Sequence, residues 1–177
     1  LMATTQLLVK VALQRTQDPG ACLGIVNKQL CTQGFSGQFV TMIVVVLEPG
    51  SGAVEVATAG HPAPLLQRDG VFTSMEVEPS LVLGVDAEET YKTRGFVAEA
   101  GATMILYTDG VVEAECDTGE QYGLDRLVTA VNRNGGPKTA QTGRPDQRIK
   151  AIVEDVKKFC GTKDLLDDLT VVAVRVG

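Results

Sequence analysis

Three short segments combine residue types that could do chemistry, and the first ends in an acidic residue. Asp109 and Gly110 follow the apolar segment 104–108, which ends at Thr108. A carboxylate at the end of a buried strand is held in place and partly shielded from water, and hard divalent cations prefer such oxygen ligands. Asp-Gly is also a common turn pair. This segment alone therefore leaves a metal site and a simple turn open.

The second segment places two carboxylates side by side. Asp167 and Asp168 precede the apolar run 169–176, in which Thr170 is the second residue. Two like charges beside an apolar strand are costly unless a positive group neutralises one of them. Bound Mg²⁺ or Mn²⁺ would do so, whereas a solvated strand start or a helix cap is the alternative.

The third segment, residues 59–64, contains the single histidine of the chain, His61, directly after Gly60. Small residues around a histidine suit a close approach of the backbone to a ligand. The alternative is a rigid corner between two strands, made by Pro62 and Pro64.

Hydrophobic periodicity predicts the elements that position these segments. Helices are predicted over residues 1–15, 19–31, 124–131 and 145–159. Strands are predicted over residues 40–47, 53–59, 65–68, 71–73, 93–97, 104–108 and 169–176. Asp18 and Pro19 form a helix-start signal. The apolar face of the first helix is expected to include Leu1, Leu7, Leu8, Val11 and Ala12. Because strands and helices are segregated, the order predicts an α+β fold with antiparallel sheets. Residues 134–144 are predicted to form a polar surface loop.

Composition excludes several classes of protein. The 177 residues suffice for one domain with a sizeable core. The net charge of −6 argues against a nucleic-acid partner or an anionic membrane surface. The longest apolar run, residues 42–47, is too short to span a bilayer. The four cysteines have no C-x-x-C spacing, which argues against a zinc finger and favours reduced thiols in a cytoplasmic protein.

Taken in order, five segments resemble the SpoIIE/RsbU-type bacterial serine/threonine phosphatases, a branch of the metal-dependent type-2C phosphatase superfamily. Those segments are residues 39–42 (FVTM), 59–66 (AGHPAPLL), 83–85 (LGV), 106–114 (LYTDGVVEA) and 167–172 (DDLTVV). Each segment is weakly specific alone, but five in the same order with compatible spacing are specific together.

The resemblance implies an α-β-β-α sandwich of two antiparallel sheets flanked by helices. It also implies two Mn²⁺ or Mg²⁺ ions that activate water for attack on phosphoserine or phosphothreonine. Asp109 and Asp167 would be metal ligands, with Asp168 a second ligand or a support. The residues that would line the site are Gly60, His61, Thr108, Gly110 and Thr170, and the two threonines would hydrogen-bond the carboxylates. Glu113 and Glu115 are interpreted as a solvated face or a capping pair, although either could sit near the metals.

One departure from the family pattern affects these expectations. The family carries an upstream Gly-Asp-x-x-Gly-His-Gly motif whose Asp holds the metals, and this sequence contains no Gly-Asp pair. The resemblance therefore implies a domain truncated at its N-terminus, or a longer protein in which the motif precedes residue 1. A truncated domain should bind divalent metal weakly, because affinity follows the number of charged ligands. Its unpaired sheet edges would favour pairing with another chain, as in a homodimer.

The predicted function is metal-dependent hydrolysis of phosphoserine or phosphothreonine. By family analogy the substrate is a phosphorylated anti-sigma-factor antagonist, a STAS-type protein, and an upstream sensor or receiver domain regulates the enzyme. The alternative is a catalytically inactive, phosphatase-like binding or adaptor domain, which the missing Gly-Asp motif favours. A nucleotide-binding kinase is disfavoured because the sequence has no glycine-rich phosphate loop.

Overall fold

The computed structural model describes residues 1–33, 37–48, 50–133, 145–163, 165 and 167–176. The helices are α1 (Met2–Thr16), α2 (Pro19–Gln33), α3 (Asp109–Val112), α4 (Gly123–Arg133) and α5 (Pro145–Cys160). The strands are β1 (Met42–Leu47), β2 (Ala53–Ala59), β3 (Leu65–Arg68), β4 (Val71–Ser74), β5 (Arg94–Val97), β6 (Thr103–Tyr107) and β7 (Val171–Arg175). Two compact units contain these elements: residues 1–61 with 76–97, and residues 62–75 with 98–177. The single domain expected from the chain length stays a prediction.

The first unit is a three-stranded antiparallel sheet, in the order β1-β2-β5, with α1 and α2. Its core is formed mainly by α2, β1 and β2, which bury Leu23, Val26, Val44, Ala57 and Ala59 among others. The predicted start of α2 is confirmed, because the backbone N–H of Ala21 donates to Oδ1 of Asp18 at 2.6 Å. Such a cap satisfies one of the free N–H groups of the first helical turn.

The apolar face predicted for α1 is wrong in part. Ala12 is buried as predicted, and so is Thr5, which the prediction did not include. Leu7 and Val11, which it did include, are 64% and 47% exposed. Leu8 and Leu13 pack against the same core from partly buried positions. The packing of α1 against α2 selects which of its residues are buried.

The second unit is a four-stranded antiparallel sheet in the order β4-β3-β6-β7, with α4 and α5 packed beside it. Its core includes Phe72, Ile105, Tyr122, Leu127 and Ile152. The predicted hairpin between β3 and β4 is confirmed, and its two turn residues, at positions 69 and 70, have φ of 48° and 80°. Positive φ at both positions defines the turn that matches the twist of paired strands.

The structure confirms the α+β fold class, with two antiparallel sheets and flanking helices. The loop predicted over residues 134–144 lies outside the described residues. All four cysteines are free thiols; Cys22 and Cys160 are buried, whereas Cys31 and Cys116 are partly exposed. Within the described ranges, none of the helices has the length and apolar character needed to cross a membrane.

Candidate active site

Asp109 lies where the buried strand β6 gives way to a short helix. The strand ends at Tyr107, Thr108 takes an extended backbone conformation before the helix, and Asp109 is the first residue of α3. The sequence predicted a strand through residue 108 followed by a metal ligand or a turn, and it missed this helix. Burial of Val111 in the core explains why the chain coils here instead of reversing directly.

Gly110 brings the two acidic segments into contact. A Cβ atom at this position would lie 2.6 Å from the backbone oxygen of Asp168 and 3.4 Å from Cβ of Asp167. A larger residue would have to push that backbone away, so glycine permits the approach. The segment that starts at Asp109 and the segment containing Asp167 and Asp168 therefore touch through their backbones.

Thr108 and Thr170 fasten these two segments to each other. The backbone N–H of Thr108 donates to the carbonyl oxygen of Thr170 at 3.1 Å, which extends the pairing of β6 with β7. The backbone N–H of Thr170 donates to the Thr108 hydroxyl at 3.2 Å, and that hydroxyl donates to the carbonyl oxygen of Asp168 at 3.4 Å. These bonds hold the backbones that carry the carboxylates, whereas the resemblance implied bonds to the carboxylates themselves.

The three carboxylates are exposed side chains. Oδ1 of Asp109 accepts from the N–H of Gly110 at 3.0 Å, and Oδ1 of Asp167 accepts from the N–H of Asp168 at 2.7 Å. Each of these hydrogen bonds joins neighbouring residues and fixes the side chain locally. The second oxygen of each carboxylate has no hydrogen bond among the described residues.

A small cavity of about 100 Å³ lies beside Asp167. The described residues that line it are Gly110, Glu113, Ala114, Glu115, Gln121 and Asp167. Glu113 and Glu115, which the sequence left between a solvated face and a place near the metals, therefore share a cavity with Asp167. Lys163, which the sequence did not single out, pairs with Glu115 at 2.6 Å. Nothing in the sequence around Lys163 indicates that it pairs with Glu115, because this contact depends on tertiary structure.

The donor chemistry fits Mn²⁺ or Mg²⁺, but the number of ligands is small. Carboxylate oxygens are the ligands these ions prefer, and Asp109, Asp167 and Asp168 supply them. In the part of the chain that the structure describes, no group of three or more His, Cys, Asp or Glu side chains is arranged to hold a metal ion. The role of these three carboxylates as metal ligands stays a prediction.

Gly60 and His61 lie in the first unit, at the end of β2. Gly60 has a φ of 65°, and a Cβ atom there would collide with Val82. Its N–H donates to the carbonyl oxygen of Ser80 at 3.1 Å. A glycine is thus required by the backbone and by packing, and the role of both residues in lining a site stays a prediction.

Comparison with known proteins gives the family. The whole chain, residues 1–177, matches the family model described as Stage II sporulation protein E (SpoIIE), and the chain belongs to this family. It is 24% identical over 161 residues to phosphoserine phosphatase RsbU of Bacillus subtilis, which covers 89% of this chain and 45% of RsbU. It is 26% identical over 152 residues to protein IcfG of Synechocystis sp., which covers 85% of this chain and 23% of IcfG. The chain spans less than half the length of these two relatives.

Solved structures show the same fold. The PP2C domain of SiaA from Pseudomonas aeruginosa matches with a TM-score of 0.80 and 18% identity, over 97% of this chain and 67% of that one. The chain, a member of the SpoIIE family, therefore has the fold of this PP2C domain.

Proposed function

We propose that this chain hydrolyses phosphoserine or phosphothreonine in a protein substrate, in a reaction that depends on Mn²⁺ or Mg²⁺. Asp109 and Asp167 would hold the metal, and Asp168 would act as a further ligand or as a support. The observation that carries this proposal is the backbone contact at Gly110, which joins the two acidic segments. Sequence-distant carboxylates on touching, hydrogen-bonded segments are suited to share a cation.

Structures with the same fold support a role for divalent metal. One is the phosphatase domain of SpoIIE from Bacillus subtilis presoaked with Mn, and another is RsbX in complex with magnesium. A divalent ion held by Asp109 and Asp167 would supply Lewis-acid chemistry, polarising a phosphoryl oxygen and lowering the pKa of water. In this chain, Thr108 and Gly110 fix the backbones of the acidic segments. Gly60 and His61 are proposed to line the site.

We further propose a phosphorylated STAS-type protein, an anti-sigma-factor antagonist, as substrate. The likeness to RsbU, which is described as a phosphoserine phosphatase, supports a phosphoprotein substrate. An upstream sensor or receiver domain that regulates the enzyme, a cytoplasmic location and a homodimer belong to the same proposal.

A phosphatase-like binding domain is the second candidate. The described residues do not gather three metal-binding side chains, and the sequence has no Gly-Asp pair. A domain with too few ligands would recognise a phosphoprotein without hydrolysing it. Such a domain would have the same fold and the same binding surface, but it would not hydrolyse phosphate.

The two candidates are separated by hydrolysis of p-nitrophenyl phosphate and of a phosphoserine peptide, with Mn²⁺ and with EDTA. Asp109→Asn is the test variant, and Asp125→Asn, an exposed aspartate at the start of α4, is the matched control. Activity that requires Mn²⁺ and is lost only in Asp109→Asn supports the enzyme. A folded, inactive protein that still binds the phosphopeptide supports the binding domain.

A further inference from the structure

The ion pair between Glu115 and Lys163 is more shielded from water than the pairs that Lys92 and Arg94 form with Glu78. Oε2 of Glu115 lies 2.6 Å from Nζ of Lys163, and their side chains are 29% and 30% exposed. Lys92 and Glu78, in the first unit, form a pair of similar length with exposures of 67% and 39%. A shielded pair is screened less by water and salt, so its attraction is stronger. The Glu115 carboxylate raises the pKa of Lys163 accordingly.

Both partners of this pair are anchored in the segments that lead to the candidate metal ligands. Glu115 follows α3, which starts at Asp109, and it is paired across a short turn with Gln121. Lys163 lies four residues before Asp167, and its N–H donates to the carbonyl oxygen of Cys160 at 3.2 Å. The ion pair therefore joins the segment after one ligand to the segment before the other.

The pair also borders the cavity at the candidate site. Glu115 lines the same cavity as Gly110 and Asp167. A second contact supports the same arrangement, because a Cβ atom at Gly161 would lie 3.5 Å from Oδ2 of Asp117. Gly161 therefore lies close to Asp117, beside the ion pair of Glu115 with Lys163.

We infer that Glu115 and Lys163 are a positioning pair, which holds the Asp167 segment against the Asp109 segment and thereby sets the affinity of the site for a divalent cation. The inference rests on the proposed function, because it assigns the cation to these carboxylates. Lys163 acts through Glu115 and touches neither the metal nor the substrate. Because the pair joins the two segments that carry the candidate ligands, its loss is expected to weaken metal binding.

The test compares Lys163→Met with Lys163→Arg and with the control Lys92→Met in the purified protein. Mn²⁺ binding is measured from the loss of the electron paramagnetic resonance signal of the free ion, and hydrolysis is followed against Mn²⁺ concentration. Loss of a residue that orients a metal ligand weakens metal binding by roughly 10–100-fold. We expect Lys163→Met to raise the dissociation constant for Mn²⁺ by about 10-fold, with kcat at saturating Mn²⁺ retained. Lys163→Arg should restore binding, and Lys92→Met should leave it unchanged.

Hydrogen exchange supplies a readout that does not require activity. Lys163→Met should speed amide exchange at residues 113–121 and 167–170, whereas Lys92→Met should leave both segments unchanged. The inference is overturned when Lys163→Met leaves Mn²⁺ binding and exchange as in the wild type, or when it lowers only the melting temperature. A wild-type protein that binds Mn²⁺ without hydrolysis contradicts the proposed function and still allows the pair to be tested. Absence of Mn²⁺ binding by the wild type overturns both.

Discussion

In each unit, a glycine near an aspartate allows two segments of the chain to come into close contact. The two aspartates differ in how many hydrogen bonds their carboxylates accept. In the first unit, Gly20 lies against the backbone carbonyl of Tyr91, and its N–H donates to the Thr93 hydroxyl at 2.9 Å. Asp18 accepts from that hydroxyl at 2.9 Å and from Ala21 at 2.6 Å, so both of its oxygens serve the start of α2.

In the second unit, Gly110 lies against the backbone of Asp168, and the carboxylate of Asp109 uses one oxygen for the N–H of Gly110. Its side chain is exposed, whereas that of Asp18 is partly buried. Where both carboxylate oxygens accept hydrogen bonds, as in Asp18, the aspartate stabilises the fold. Where only one does, as in Asp109, the other oxygen is available to a cation.

Of the two glycine variants, Gly110→Ala should have the larger effect, and it acts on the candidate site. The new methyl group would force the backbone of Asp168 away, because the oxygen lies 2.6 Å from the Cβ position. We expect metal-dependent hydrolysis to fall by roughly 10–100-fold, as for loss of other groups that orient metal ligands. The measurement is the initial rate against Mn²⁺ concentration. A variant with wild-type metal dependence would contradict the role assigned to Gly110.

Gly20→Ala should act on stability. The methyl group would collide with the Tyr91 carbonyl and the Thr93 hydroxyl. Overpacking of this kind costs about 1–3 kcal/mol of unfolding free energy, which urea denaturation measures. Gly24→Ala is the matched control on the same helix, because no atom lies within 4 Å of its Cβ position. That control should stabilise the protein by about 0.5–1 kcal/mol, and similar losses in both variants would refute the packing argument.

Asp18→Ala and Asp109→Asn together test whether the two aspartates have different roles. Removal of a helix cap costs about 1 kcal/mol, and we expect this loss in the first unit without a change in the Mn²⁺ dependence of hydrolysis. Asp109→Asn should show the reverse, with lost hydrolysis and nearly unchanged unfolding free energy, because its side chain is exposed. Thermal unfolding and rate measurements on both variants test the distinction, which fails if Asp18→Ala shifts the metal dependence.

The smallest effect on stability at neutral pH is expected from replacing the phenol of one buried tyrosine in each unit, Tyr91 or Tyr107. Burial raises the pKa of Tyr91 to about 12 and that of Tyr107 to about 12, above the ordinary value of 10.0. The folded state therefore keeps protons that the unfolded state loses, and stability falls as the pH rises from about 10 to about 12. Tyr91→Phe and Tyr107→Phe should each reduce this fall in urea titrations at several pH values. An unchanged pH dependence in either variant would contradict the burial of that phenol.

The sequence predicted most elements because each has a local cause. The alternation in β2, the Asp-Gly turn between β3 and β4 and the cap at Asp18 depend on neighbouring residues. The buried face of α1 was predicted less well, because packing against α2 selects that face. Helix α3 was missed, since a four-residue helix has too few positions to show a period and is held by burial of Val111.

The features of the candidate site also fall into those that the sequence predicts and those that depend on tertiary structure. The sequence by itself determined which residues carry carboxylates and which short segments they follow, because side-chain chemistry and strand ends are local properties. Only the tertiary structure decided that the backbones at Gly110 and Asp168 touch, that Thr108 bonds to the backbones of Asp168 and Thr170, and that Lys163 meets Glu115. These contacts join residues 48 to 62 positions apart, and such separations leave no periodic or turn signal in a single sequence. The physical reason is that the pairing of β6 with β7 brings these distant segments together.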